Sequence, residues 1–140
     1  MVSGGGDGVV LTGEEGEARE GYGENIADPK GSVTVVDVEA QESTVVDFSA
    51  FDSQRDQLAE DGIVLKKGSA PSVDLEPEYI AVSGGKAYVT LQENNAIAVL
   101  DLASQTFEGV YSAGFADHTT PATALAQPDA ASTTHPPPRP

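Results

Sequence analysis

The sequence predicts an all-β fold: a partial β-propeller of about two antiparallel blades, with one short inserted helix and a disordered C-terminal tail. Three observations lead there. A motif recurs, Val10-Leu11-Thr12-Gly13-Glu14-Glu15 being echoed by Tyr88-Val89-Thr90-Leu91-Gln92-Glu93. Each copy leads into a run ending in aspartate, Val33-Thr34-Val35-Val36-Asp37 and Ile97-Ala98-Val99-Leu100-Asp101, and then into a third short apolar run. The runs are rich in β-branched residues and bounded by turn formers. Self-similar units cannot bury their own apolar faces and must stack on neighbours. A unit that is a small antiparallel sheet makes a propeller blade. Two blades do not close a propeller, so the chain reads as a fragment of something larger.

Taken in order, Gly4 to Gly8 reads as a turn and Gly8 to Thr12 as a short, mostly apolar strand. Glu14 to Pro29 is a loop rich in glycine and acid. Gly31 to Val38 alternates and reads as a strand, Glu39 to Glu42 as a turn, and Ser43 to Phe48 as the next strand. Phe51 to Asp61 breaks the pattern. Asp52 or Ser53 can cap a short helix there, with Leu58 as its apolar contact and Gly62 as its stop. Ile63-Val64-Leu65 forms a short strand or tucks against the sheet edge. The second unit is more complete: Glu78 to Val82, a Ser83–Lys86 hairpin turn, Ala87 to Leu91, Ala96 to Leu102 and Thr106 to Tyr111. After His118 the sequence turns to Pro, Thr and Ala without periodicity, which predicts disorder. The domain division is therefore 1–118 for the propeller part and 119–140 for the tail. The tail is either a native stalk or linker or, since it drops the acidic bias, the product of a frameshift or truncated gene.

Composition bounds the function. The 140 residues (14.4 kDa) make one ordinary domain, and 39% hydrophobic with 6% aromatic content is a thin supply of core. A formal net charge of −16 argues against nucleic-acid phosphates and anionic lipid as partners. Cation binding, a cationic partner and salt adaptation remain; the spread of the acids and the few lysines (Lys30, Lys66, Lys67, Lys86) favour salt adaptation. Without cysteine there is neither a disulfide framework nor a thiolate metal site. No signal peptide, anchor or membrane-spanning stretch is visible, so membrane insertion by this chain is not expected.

Candidate site residues are acidic. Glu14, Glu15, Glu17, Glu20, Glu24 and Asp28 crowd one loop, and calcium takes six to eight oxygen ligands of this kind. The spacing matches no EF-hand or nonapeptide calcium repeat, so a solvated, salt-adapted loop is the alternative. Glu15 and Glu93 stand at equivalent points of the repeated motif, just past a strand end, where propeller ligand sites gather. The candidate metal set is accordingly Glu14, Glu15, Glu17 and Glu93, against plain turn-stabilising acids. Asp74, Glu76 and Glu78 alternate around Pro77 and can converge with Glu93 and Asn94 on a cation, or simply face solvent. Asp117-His118 reads as a metal or acid–base pair or as a surface turn, His135 carries no role, and Asp37 and Asp101 read as turn residues. No nucleophile elbow, zinc-helix motif or phosphate-binding glycine loop is present, so no catalytic or cofactor-binding residue is assigned.

The stretch Asp74-Leu75-Glu76-Pro77-Glu78-Tyr79-Ile80-Ala81-Val82-Ser83, followed by Ala87 to Ala96, resembles the choice-of-anchor I family. So do Glu14-Glu15-Gly16-Glu17, Asp28-Pro29-Lys30-Gly31-Ser32-Val33, Asp47-Phe48-Ser49-Ala50-Phe51 and Gly114-Phe115-Ala116-Asp117-His118. The likeness runs from about Gly8 to His118. The family comprises secreted or surface-attached β-propeller proteins of bacteria and archaea, some bearing names such as alkaline phosphatase. The resemblance implies a fragment of an extracellular or cell-surface propeller; with the acidity and the lack of a nucleophile motif, it reads as a non-enzymatic recognition or adhesion protein from a halophile. The alternative it leaves is part of a metal-dependent phosphoesterase. The implied partner is an unknown surface ligand or protein, and exposed blade edges predict self-association.

Overall fold

The computed structural model describes residues 2–5, 8–16 and 29–115, and for 2–5 the backbone alone. Among the described residues, eight strands form two four-stranded antiparallel sheets, each in sequential order. The first holds β1 (Val2–Gly5), β2 (Val9–Glu14), β3 (Ser32–Asp37) and β4 (Glu42–Asp47). Two short helices follow, α1 (Arg55–Glu60) and α2 (Pro71–Asp74). The second sheet holds β5 (Ile80–Ser83), β6 (Lys86–Leu91), β7 (Ala96–Asp101) and β8 (Thr106–Ser112). Each sheet is a meander of the kind that makes a propeller blade, and the described strands form no closed barrel. The fold is thus all-β and that of a partial propeller, as expected. The expected tail lies outside the described residues. No described helix is long and apolar enough to cross a membrane.

The two sheets repeat each other residue by residue. Val9 pairs with Asp37 in the first and Lys86 with Asp101 in the second. Both aspartates build the next turn: Asp37 accepts the N–H of Glu39 and Ala40, and Asp101 that of Ser104. Gly8 and Gly85, at φ +75° and +77°, occupy the same left-handed position before these strands. Their carbonyls accept the N–H of Val38 and Leu102. Gln41 and Gln105 repeat as well, at φ 57° and 52°.

This register corrects the repeat as read from the sequence. Thr12 corresponds to Val89 rather than Thr90, and Glu15 to Gln92 rather than Glu93. A slip of one residue transfers every side chain to the opposite face. Leu11 and Val33 are buried in the core, whereas their counterparts Tyr88 and Ile97 are 41% and 39% exposed. The second sheet buries Ala87, Val89, Leu91, Ala96, Ala98 and Leu100 instead. One face of the first sheet therefore meets the opposite face of the second, a head-to-tail relation that can repeat.

The segment between the sheets closes the core. Phe48, fully buried just after β4, stacks on Phe107 of β8 with ring centroids 4.3 Å apart. A 3-10 stretch, Ser49–Gln54, runs into α1, and Phe51, Leu58 and Ile63 turn inward. The expected cap by Asp52 or Ser53 does not form. Asp52 instead accepts the N–H and hydroxyl of Ser72, at 2.8 and 3.0 Å, and so ties α1's approach to α2. Gly62 follows α1 with its N–H on the Ala59 carbonyl, as expected of a stop. Ile63 to Leu65 forms no strand; Val64 donates to the Asn94 carbonyl at 2.9 Å.

Two elements depart from the sequence reading. β1 lies where a glycine turn was expected, because pairing with β2 supplies what a side-chain pattern did not. α2 begins with proline at its first turn, a position where the missing N–H costs nothing.

Candidate functional site

The β6–β7 turn, residues 92–95, separates two features of the second sheet. On the sheet's outward face, Tyr79, Thr90, Gln92, Asn95, Ile97 and Ala113 line an open, mostly apolar groove of about 410 Å³. That volume lies within the usual range of small-ligand sites, about 300–1,000 Å³. Thr90 Oγ1 accepts the Tyr79 N–H at 3.0 Å, which fixes the chain just before β5. Asn95 Nδ2 donates to the Gly114 carbonyl at 3.0 Å and the Asn95 carbonyl accepts from Ala113 at 2.8 Å, fixing the chain just after β8. Tyr111 lies over Gly109 on the same face, half exposed. The groove offers aromatic and aliphatic surface with hydroxyl and carboxamide groups at its rim, which suits binding.

On the other side of the turn lies a buried polar knot. Asn94, 3% exposed, donates from Nδ2 to the carbonyls of Val64 and Asp74, each at 2.9 Å, and accepts the Glu76 N–H at 3.2 Å. Asp74, 2% exposed, accepts the Lys66 N–H at 2.6 Å through Oδ2. Its Oδ1 has no hydrogen-bond partner and stands 3.7 Å from the Lys66 ammonium, which also donates to Glu76 at 3.1 Å. Arg55 holds the surrounding loop through the carbonyls of Lys66 and Ser69.

The residues singled out by sequence are dispersed among three places. Asp74, Glu76, Glu93 and Asn94 do gather, around the Lys66 ammonium, while Glu78 goes to the sheet edge and bonds Thr90 through its backbone. Sequence reasoning counted Lys66 only among the few lysines; its place between carboxylates far along the chain left no local signal. Glu14 stands apart: its carboxylate accepts the hydroxyls of Thr12, Ser32 and Thr34 at 2.6, 3.0 and 3.2 Å. Glu15 and Glu93 are exposed, and Glu17, Asp117, His118 and His135 lie outside the described residues. Among the described residues, no three carboxylate or imidazole groups are placed to hold a metal ion. Glu14 sits with the hydroxyls of Thr12, Ser32 and Thr34, whereas Glu93 lies near the Lys66 ammonium.

Burial pushes the Glu76 carboxyl above its ordinary value, reinforced by Glu93 and Asp74, and Lys66 opposes the shift. Lys66 is raised in turn, chiefly by its hydrogen bond to Glu76. The two partners point in opposite senses for stability. Lys66 is 56% exposed and its gain is screened by solvent, whereas the Glu76 side chain is 16% exposed, so Glu76 decides. A carboxyl with a raised folded-state pKa stabilises the fold below its unfolded value and loses that contribution as pH rises through the folded value. Glu76→Gln, which keeps an acceptor for Lys66, is therefore expected to melt higher than the parent at pH 7. That advantage should close as the pH falls toward 4.5, the ordinary value of the group. Thermal melts of both proteins at the two pH values measure it; a variant weaker at pH 7 would mean that the ion pair outweighs burial.

A model of the choice-of-anchor I domain matches residues 3–134, which spans both sheets and passes the division at residue 118 expected from composition. No curated protein matches the chain. No solved structure matches it either. With the match covering nearly the whole sequence and the residue-by-residue blade repeat beneath it, the chain belongs to the choice-of-anchor I family.

Proposed function

We propose that the chain supplies two consecutive blades of a larger β-propeller at the cell surface, serving recognition or adhesion rather than catalysis. The observation that carries this reading is the head-to-tail stacking of two equivalent sheets, with Tyr88 and Ile97 left exposed where Leu11 and Val33 are buried. A repeat that leaves its own packing face open is built to continue. Membership of the choice-of-anchor I family supports the surface placement. The groove beside Tyr79, with rim carboxamides and no nucleophile–base pair among its lining residues, supports binding. Antibody labelling of intact source cells tests the placement: signal before permeabilisation is expected, and signal only afterwards overturns it. Hydrolysis of a phosphoester above the protein-free rate, with magnesium, calcium or zinc supplied, would overturn the non-catalytic part.

The same reading takes the acidity as adaptation to salt. With a net charge of −16, self-repulsion opposes folding at low ionic strength. Screening and stronger apolar burial then stabilise the fold as salt rises. The melting temperature is expected to climb steadily from low to molar KCl, and millimolar CaCl₂ to add nothing beyond NaCl of matched ionic strength. A calcium-specific rise would favour instead a metal site among Glu14, Glu15, Glu17 and Glu93.

A further inference from the structure

The equivalence of the two sheets says what the groove is for. On the first sheet, the positions matching Thr90 and Ile97 are Gly13 and Val33, and Gly31 stands just before β3 as Asn95 stands just before β7. Gly13 and Gly31 are covered by the extended segment Leu75-Glu76-Pro77, the part of the chain that leads into the second sheet. A Cβ on Gly13 would stand 3.3 Å from the Pro77 side chain, and one on Gly31 only 1.9 Å from the Leu75 carbonyl oxygen. Leu75 and Pro77 are fully buried there. Among the described residues nothing covers the same place on the second sheet, which is the groove of about 410 Å³.

We infer that this groove seats an extended, proline-containing peptide segment leading into a further sheet, held as Leu75-Glu76-Pro77 is held on the first. The inference deepens the propeller reading above and rests on it for the identity of that further sheet. Continuity with the existing interface selects this occupant. A second copy of the chain would have to offer the first sheet's other face, where Thr12, Glu14, Ser32 and Thr34 replace the apolar Val89, Leu91, Ala96 and Ala98 of the second. Those four residues form a hydrogen-bonded polar cluster, a poor match for Tyr88 and Ile97. Side chains at Thr90 and Asn95, where the first sheet has glycine, keep the incoming segment shallower. They also bring hydroxyl and carboxamide groups, with that of Gln92, within reach of its backbone.

A synthetic peptide copying residues 70–82 serves as the probe, titrated into the ¹⁵N-labelled full chain at high salt, where repulsion between two acidic chains is screened. Amide shifts confined to Thr90, Gln92, Asn95 and Ile97 are expected. Asn95→Gly, which restores the glycine of the first sheet, should tighten binding about tenfold, since about 1.4 kcal/mol corresponds to that factor. Ile97→Asp should abolish it, and Tyr79→Ala, at an exposed ring outside the strands, should weaken it if the aspartate variant does not fold. Absence of shifts in both the parent and Asn95→Gly overturns the inference. So do shifts at Val10, Thr34 and Val36, or at Gly13 and Gly31 through displacement of the internal segment. The same groove shifts on concentrating the protein without peptide would assign the face to a second copy. Cell-surface labelling is a separate readout, so a chain found inside cells leaves the titration result standing, and the reverse.

Discussion

Replacing Asn94 with leucine is expected to lower the unfolding free energy by about 3–5 kcal/mol, the combined effect of leaving several buried polar groups without partners at about 1–3 kcal/mol each. The carbonyls of Val64 and Asp74 would lose a donor and the Glu76 N–H an acceptor, at a site 3% exposed. Against a total of about 5–15 kcal/mol for an ordinary domain, that removes a large share of the stability. Asn94→Asp separates shape from chemistry. It keeps the acceptor for Glu76 but turns carboxylate oxygen toward two carbonyls, so it should be at least as damaging at neutral pH. Chemical denaturation of the three proteins measures the difference. A loss under 1 kcal/mol for the leucine variant would mean that the knot does not hold the linking segment to the β6–β7 turn.

Gly31→Ala is the second large effect. A methyl group there would meet the Leu75 carbonyl oxygen at 1.9 Å and Pro77 Cδ at 3.0 Å. Backbone must move, and the bond from the Gly31 N–H to the Ser72 carbonyl at 3.1 Å moves with it. Overpacking of a tight core typically costs about 1–3 kcal/mol, and a clash with main chain rather than a flexible side chain belongs at the upper end. Gly84→Ala is the control: nothing lies within 4 Å of its Cβ position, so only its φ of +58° resists, at about 1 kcal/mol. Melts of the two variants should differ by several degrees in that order. Equal melts would show that the contact between the first sheet and the Leu75–Pro77 segment can relax without loss.

What was legible in the sequence was local. β-Branched runs, the Ser83–Lys86 hairpin, the aspartates that open the turns after β3 and β7, and the glycine after α1 each carry their own conformational preference. They sufficed for a three-stranded unit, a four-stranded unit and a helical insertion. β1 escaped because Gly4 and Gly5 have no side-chain pattern, and its pairing with β2 arises only once β2 is in place. The capping role given to Asp52 failed because Ser72, twenty residues on, offers it two donors at once.

The sequence alone therefore determined seven of the eight described strands, most of their turns, the acidity and the family likeness, all of which follow from short-range pattern and composition. The tertiary structure decided which face of each sheet is covered. Both faces of a stacked sheet carry apolar residues, so alternation does not mark the inward one, and a repeat aligned one residue out looks as good as the true one. That single slip placed Glu15 opposite Glu93 and hid the correspondence of Thr90 with Gly13. The same holds for charge. Asp74, Glu76 and Glu93 looked like ligands for a cation, and only the folded chain brings the Lys66 ammonium among them, because attraction between opposite charges is set by distance in space rather than along the sequence.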